Sequence, residues 1–369
     1  MKKTFYTTLT EKSLKGELPA SQTCHEILTS PAVELLALLD AAYQVRKTYF
    51  GNEVAIHIIN NAQNGHCPED CHYCAQAKTS RADIEEYPLK PDEEIFAEAK
   101  EAYESGAYRY CMVFAGRGPS KRRVEHLARL VREITARYPI RICISTGLLD
   151  EESARILKEA GLDRLNHNLN TSREHYPKIC TTHTYTDRLS TLQSARKAGI
   201  ELCSGMIVGM GENAGDIIEV AMTLRELNVP SIPVNFFIPI EGNSVTEISV
   251  LSPQYCLRVL CLFRFLNPKA EIRIAAGREI HLRGLEVMGL YPANSLFLGG
   301  YLNAKGSSRA KTLRMIQDAG FSIKAEQSLE ELLKGEGKEA SQHVGGEDAL
   351  YLKGLNELRP HMVSRTAQA

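Results

Sequence analysis

The chain has 369 residues, 43% of them hydrophobic and 24% charged, and a formal net charge of −1. This is globular composition, and a charge so near zero points away from nucleic acid and anionic membrane surfaces as partners. The opening Met1-Lys2-Lys3 runs into Thr4-Phe5-Tyr6-Thr7-Thr8, which is no apolar signal core, and no run of 18 apolar residues follows, so the expected setting is the reducing cytoplasm.

Residues 1–27 are polar and weakly patterned and read as a loose N-terminal arm. From Pro31 to about Phe50, Val33, Leu35, Leu36, Leu38, Leu39, Ala42 and Val45 recur at helical spacing. Ser30 suits the N-cap of that helix, Pro31 its first position and Gly51 its stop. Strands and helices then alternate. The expected strands are Val54–Asn60, Arg109–Ala115, Ile140–Thr146, Arg164–Leu169, Glu201–Val208, Ser231–Ile238, Glu271–Ala276 and Ser295–Leu298. The expected helices cover 91–106, 120–138, 150–160, 185–198, 216–227, 253–266, 279–289 and 309–319. Eight such units call for a parallel sheet and, at this length, for an α/β fold of the (β/α)8 TIM-barrel type; a doubly wound open sheet is the alternative. The expected division is 1–50 for the arm and its helix, 51–324 for the barrel, and 325–369 for a short helix and a mobile, Gly-rich tail.

Ten cysteines is many for such a setting, and there clustered cysteines favour metal over disulfides. The densest group follows the first strand, in Asn64-Gly65-His66-Cys67-Pro68-Glu69-Asp70-Cys71-His72-Tyr73-Cys74. Three thiolates in a C-x3-C-x2-C array converge on one centre and leave its fourth position without a local ligand. Structural zinc closes all four positions with Cys or His, whereas an iron–sulfur cubane on three thiolates keeps one iron open. The array therefore reads as a catalytic cluster site, against a zinc knuckle completed by His66 or His72.

Residues two apart on a strand share a face. That alternation groups Cys111 with Val113, Cys143 with Ser145, Asn166 with Asn168 and Asn170, Cys203 with Gly205 and Ile207, Asn235 with Phe237, and Arg273 with Ala275. If these faces point inward, the lumen holds three cysteines, an arginine and several asparagines where Val, Ile and Leu are usual. A second metal cluster on Cys111, Cys143, Cys203 and Arg273 would compensate the burial. The alternative is three separate cysteines, each packing as a small hydrophobe. Cys24, Cys180, Cys256 and Cys261 read as structural or incidental. Gly205-Met206-Ile207-Val208-Gly209-Met210-Gly211-Glu212 reads as a strand ending in a Gly-rich turn, either open to a ligand or a plain turn with Glu212 at a helix start.

The Cys67-x3-Cys71-x2-Cys74 array, with aromatic Tyr73 beside its last cysteine, resembles the radical S-adenosylmethionine superfamily. Within it the chain resembles the biotin synthase family in Cys67–Gln76, Tyr110-Cys111-Met112, Asn166-His167-Asn168-Leu169, Thr181–Tyr185, Cys203-Ser204-Gly205, Pro233-Val234-Asn235 and Arg273–Glu279. The resemblance implies a [4Fe–4S] cluster on Cys67, Cys71 and Cys74 with S-adenosylmethionine on its open iron. It also implies a sulfur-donating [2Fe–2S] cluster on Cys111, Cys143, Cys203 and Arg273, or a larger donor that draws in Cys180. S-adenosylmethionine and substrate contacts are implied for Tyr73, Asn168, Asn170, Ile207, Glu212 and Asn235. The implied reaction is sulfur insertion into dethiobiotin, with flavodoxin or ferredoxin as electron donor and a homodimer as the assembly. Two positions depart from the family's pattern: Leu165 is often Tyr there and Asn170 often Asp. The rivals are a mutase or maturase of the same subfamily, which has no need of the second ligand set, and a non-catalytic zinc protein.

Overall fold

The alternation of strands and helices closes into a ring. A computed structural model describes residues 3–245 and 248–335. Its barrel strands are β1 (Glu53–Gln63), β2 (Arg109–Phe114), β3 (Arg141–Ser145), β4 (Arg164–Asn166), β5 (Glu201–Cys203), β6 (Met206–Val208), β7 (Ser231–Phe236), β8 (Glu271–Ile274) and β9 (Ser295–Leu298). They run parallel in the order β1-β2-β3-β4-β5-β7-β8-β9, and β9 pairs with β1 to close the barrel. The fifth expected strand is divided: β5 and β6 form one stave, interrupted at Ser204 and Gly205, and both pair with β7.

The helices α4 (Asp92–Glu104), α5 (Lys121–Arg137), α6 (Glu151–Glu159), α7 (Tyr185–Lys197), α8 (Ala214–Glu226), α9 (Pro253–Leu266) and α11 (Arg309–Asp318) follow the strands. The strands' outward residues, among them Ile142, Ile144, Leu165, Leu202, Ile232 and Ile272, are buried in one core with α5 residues Val124, Leu127, Leu130, Val131 and Ile134. Each such side chain contributes about 1.5–3 kcal/mol relative to exposure. A separate small cluster inside the barrel holds Cys111, Cys143, Cys203, Ala275 and Phe297. The cysteines selected by strand alternation thus do face the lumen together.

Several expectations are corrected. The N-terminal stretch is not a loose arm but two helices, α1 (Lys3–Lys15) and α2 (Ser21–Thr29). They bury Tyr6, Leu9, Ile27 and Leu28. Ser13 Oγ donates to the Phe265 carbonyl (2.9 Å), and Arg258 Nη1 to that of Ile27 (2.9 Å). Their narrow apolar stripe is matched to the outer face of α9, whose buried Arg264 is satisfied by the Pro292, Pro268 and Ala270 carbonyls. The next helix, α3 (Leu35–Phe50), starts at Leu35 rather than Pro31, because Ser30–Val33 forms a turn and Arg258 Nη2 donates to the Val33 carbonyl. The helix expected at 279–289 is a short α10 (Arg278–Leu282) followed by a 3-10 stretch, Arg283–Leu290. Three strand segments too short for any pattern also form: the hairpin β10 (Gly300–Tyr301) with β11 (Ala304–Lys305), and β12 (Ser322–Ile323) beside the start of β1. The last helix, α12, is Leu329–Gly335; the tail expected beyond it lies outside the described residues. No helix among the described residues is long and apolar enough to cross a membrane.

The break between β5 and β6 depends on Gly205, where an added Cβ would run into the Pro233 carbonyl of β7. Gly205→Ala is expected to lower stability by about 1–3 kcal/mol, the usual range for overpacking. The check is the urea midpoint of purified protein; an unshifted midpoint would refute the close approach.

Candidate catalytic centre at the mouth of the barrel

The C-terminal ends of the strands open on a cavity with about 1390 Å³ of free space, part of it continuous with solvent. Active sites of parallel barrels form at this end. Val113, Phe114, Ser145, Asn166, Ile207 and Asn235 line it from the strands, and Ala276 from just beyond β8. The cysteine loop after β1 forms one wall, and Tyr301, Leu302 and Asn303 of the β10–β11 hairpin form another.

Cys67, Cys71 and Cys74 all line the cavity. Their loop is fixed by two carboxylates. Asp70 accepts from the Thr181 N–H (2.9 Å), the Thr182 N–H (3.1 Å) and Thr182 Oγ1 (3.0 Å). Burial alone would raise its pKa, but the hydrogen bonds from Thr181 and Thr182 hold it well below the usual carboxylate range. Glu69 contacts His183 Nδ1 (2.5 Å) and Arg117 Nη1 (3.2 Å). Arg188 Nη2 links His183 Nε2 (2.9 Å) to the Tyr73 hydroxyl (3.2 Å), which also accepts from Asn170 Nδ2 (2.6 Å). A Thr184–Asp187 capping box starts α7 and so sets where Arg188 projects.

Burial pushes the Cys74 thiol up to about 11 and raises that of Cys67. These groups are neutral thiols until a cation takes the proton's place, as metal ligation does. His66 is exposed and faces Glu86 (3.6 Å), and neither His66 nor His72 lines the cavity. Cys180, by contrast, lies 3.8 Å from Cys71 Sγ, with His183 Nδ1 3.4 Å away. It therefore sits at the first cysteine set and is not placed to enlarge the second. Among the described residues, Cys71, Cys180 and His183 are the set whose ligand atoms all lie within 4.8 Å of one another. The two cysteine triads are more widely spread, as a polynuclear centre requires and a single ion does not.

The second triad lies one level deeper. Cys111 and Cys143 are directly paired across β2 and β3, and Cys203 is paired with Asn166. Arg273 Nη1 points at Cys203 Sγ (3.6 Å), as does Asn166 Nδ2 (3.3 Å). Hydrogen bonding to Cys111 pushes the Cys143 thiol up to about 12, while the same contact lowers Cys111. Beneath them Glu271 accepts from Arg273 Nη2, Arg164 Nη1 (3.0 Å), Ser295 Oγ (3.0 Å) and Ser231 Oγ (3.3 Å). Burial would raise this carboxyl, but Arg273, His57 and Arg164 hold it well below its ordinary value. His57 Nε2 is 2.9 Å from Glu271 Oε1, though not well aligned for a hydrogen bond. Burial first, then Arg273, brings this imidazole down to about 3, so it is neutral. Three thiols on β2, β3 and β5, with a cation against one of them, fit an anionic iron–sulfur centre.

Of the expected small-molecule contacts, Tyr73, Asn168, Asn170, Ile207 and Asn235 line the cavity. Glu212 does not. Its oxygens accept from the Gly209 and Met210 N–H groups (both 2.7 Å), so it closes its own turn. Asn170 has φ 70°, a left-handed conformation that Asn tolerates, and its amide donates to Tyr73, which a carboxylate in that place would not do. Leu165 faces the sheet–helix core, away from the cavity. The Glu69–His183–Arg188 relay was not found by spacing, because Glu69 lies 114 residues before His183. His57 had a signal: it is two residues before Ile59, which pairs with Cys111.

Residues 64–224 match the family model of the radical SAM superfamily, and residues 233–322 that of the biotin and thiamin synthesis associated domain. The biotin synthase of Magnetococcus marinus is 57% identical over 315 residues, covering 85% of this chain and 98% of its own length. That of Acaryochloris marina is 58% identical over 303 residues, covering 82% and 88%. Among solved structures, methylornithine synthase matches with a TM-score of 0.74 at 21% identity over 85% of this chain and 96% of its own. The FeFe-hydrogenase maturase of Carboxydothermus hydrogenoformans matches with 0.73 at 19% over 88% and 80%. These two likenesses establish the shared barrel.

Glu271→Gln leaves Arg273 and Arg164 buried against a neutral amide. The expected loss is about 3–5 kcal/mol at pH 7, as for a broken buried ion pair. Glu271's folded pKa is depressed, so its stabilisation is present above the unfolded value of about 4.3 and is lost as pH falls below it. The difference between wild type and variant should therefore shrink in acid, and denaturant titrations at both pH values test this.

Proposed function

The chain belongs to the biotin synthase family, within the radical S-adenosylmethionine superfamily, and from that premise we propose how it divides sulfur insertion into dethiobiotin between its two cysteine sets. Cys67, Cys71 and Cys74 would hold the [4Fe–4S] cluster and, with it, S-adenosylmethionine. Cys111, Cys143 and Cys203, with Arg273 against them, would hold a [2Fe–2S] sulfur donor. When bound, the first centre supplies a hydrogen-abstracting 5′-deoxyadenosyl radical from S-adenosylmethionine and the second supplies sulfur.

The observation that carries this reading is the position of the cavity between the two sets. The first set is in its wall. Tyr301 lines it and also packs on the cysteine cluster below. A substrate held there is flanked by both.

The chain's own work is positioning and exclusion of water. Phe114, Phe236, Phe237, Ile238 and Ile240 give the cavity apolar surface, which protects a carbon radical from solvent. Asn168 Oδ1 is engaged by the Gly205 N–H (3.1 Å), and Asn235 bridges the Met206 carbonyl (3.0 Å) and the Ala276 N–H (3.2 Å). Both amides are thereby held rigid, with remaining hydrogen-bonding capacity toward the cavity. Arg188, fastened to the Asn168 carbonyl (2.8 Å) and Tyr73, is a fixed cation beside the cysteine loop. An electron-transfer protein such as flavodoxin or ferredoxin would supply electrons, and the assembly would be a homodimer.

The test is anaerobic turnover with dethiobiotin, S-adenosylmethionine and reductant. Cys67→Ala, Cys71→Ala or Cys74→Ala should abolish both 5′-deoxyadenosine and biotin. Cys143→Ala should still release 5′-deoxyadenosine but make no biotin, while Arg273→Lys should keep part of its turnover. Full biotin formation by Cys143→Ala would overturn the two-centre division. 5′-Deoxyadenosine without biotin from the wild type would favour a mutase-like enzyme, and purified protein with zinc but no iron or acid-labile sulfide would overturn the cluster reading.

A further inference from the structure

Cys180 sits at the first cysteine set without belonging to it. Its Sγ is 3.8 Å from that of Cys71, a contact between residues 109 positions apart in sequence. The backbones are joined alongside: the His72 N–H donates to the Ile179 carbonyl (2.9 Å), between the neighbours of the two cysteines. We propose that Cys71 and Cys180 form a redox modification site. In the chain without its upper cluster, a peroxide joins them in a reversible disulfide that withholds Cys71 from iron until a thiol reduces it. The disulfide stands on the geometry alone; its consequence for loading rests on Cys71 being a ligand of the first centre.

His183 completes a close trio with the two sulfurs, but the trio does not suit a single metal ion. His183 Nε2 faces Arg188 Nη2 at 2.9 Å, and a guanidinium only donates. The imidazole proton is therefore on Nδ1, which lies 2.5 Å from Glu69 Oε2 and 3.4 Å from Cys180 Sγ. A protonated ring nitrogen has no lone pair to offer a metal, so His183 acts as a donor toward carboxylate and sulfur. What remains is two thiols in contact. A disulfide bond of about 2.05 Å needs the sulfurs to close by less than 2 Å, and both are carried by loops rather than strands.

The two thiols differ in access. Cys71 lines the cavity, which is partly continuous with solvent, whereas Cys180 is buried and does not line it. Peroxide thus meets Cys71 first. Cys71 Sγ takes one peroxide oxygen, the O–O bond breaks and water leaves, giving a sulfenic acid. Cys180 Sγ then attacks that sulfur. The S–S bond forms, the S–O bond breaks, and the hydroxyl leaves as a second water with the Cys180 proton. In all, the two thiols lose two electrons and two protons, and the peroxide gains them. Cys180 thereby intercepts the sulfenic acid before further peroxide makes a sulfinic acid, which thiols do not reverse.

The experiment treats the full chain, stripped of iron, with hydrogen peroxide, blocks the remaining thiols and maps the cysteines by peptide mass spectrometry. The expected product is a peptide pair joined through Cys71 and Cys180, lighter by two hydrogens and split by dithiothreitol. In Cys180→Ser, Cys71 should instead gain two oxygens. Each protein is then reduced, loaded with iron and sulfide, and compared with its own unoxidised sample through the electron paramagnetic resonance signal of the reduced first centre. Wild type should recover that signal in full, and Cys180→Ser less than half of it. A wild-type map in which Cys71 is joined to Cys67 or Cys74, or ends as sulfinic acid, overturns the proposal, and this map decides even where the variant fails to fold. Recovery of Cys180→Ser as complete as that of wild type also overturns it. A mapped Cys71–Cys180 disulfide in protein that loads the first centre fully without reduction leaves the modification site standing and overturns the assignment of Cys71 to that centre.

Discussion

One buried carboxylate organises the interior. Glu271 lies within the barrel, where removing a charge from water costs several kcal/mol unless it is repaid by close partners. It has Arg273, Arg164, Ser231 and Ser295 as hydrogen-bond donors and His57 beside it. Each partner comes from a different part of the ring, so the carboxylate ties β1, β4, β7, β8 and β9 to one point. Barrel interiors are ordinarily filled by branched aliphatic layers. Here that layer is replaced by a charged floor, and the apolar burial that stabilises the fold lies almost wholly between the sheet and its helices.

This division explains why the two cysteine sets are built differently. The deeper set is carried by strands whose register is fixed by the ladder, with Cys111 directly opposite Cys143. The upper set is on a loop, which has no ladder to fix it. Its order comes from Asp70 and Glu69, which are bound by Thr181, Thr182, His183 and Arg117 from other loops. A loop held by these carboxylates and by single backbone contacts, such as the His72 N–H to the Ile179 carbonyl (2.9 Å), can adjust to a cofactor that comes and goes. A strand-borne site above a rigid floor would suit the proposed second centre, which would have to keep its geometry while substrate is converted above it. The buried thiols in both sets also make loading a proton-releasing event, since Cys74 and Cys143 are held neutral until metal arrives.

The sequence was informative where the physics is local or periodic. The C-x3-C-x2-C spacing lies within one loop, and the lumen positions Cys111, Cys143, Cys203 and Arg273 follow from an alternation of period two. Eight strand–helix units were enough to indicate the barrel. What escaped was set by contacts distant in sequence. The N-terminal helices have a weak stripe that makes sense only against α9. The break at Gly205 is imposed by the Pro233 carbonyl of another strand. Cys180 looked incidental until the fold brought it against Cys71, more than a hundred residues earlier. Glu212 stands in a Gly-rich turn that invites a ligand, and the fold shows what spacing could not: the turn's own N–H groups take both of its oxygens.

A parallel barrel hosts many chemistries, so the fold does not select this one. Nor does the upper cysteine loop, which specifies only an open metal position at the mouth. Selection rests on what the barrel places beneath that mouth. An apolar floor would leave a radical formed in the cavity with only its substrate to act on. The polar floor around Glu271 lies under the same cavity beside three inward cysteines, and its Arg273 would supply a cation to the proposed anionic centre. Replacing aliphatic layers by charge is costly for folding and has no evident structural return of its own. Its presence directly below three inward cysteines is therefore better explained by the reaction than by the stability of the barrel.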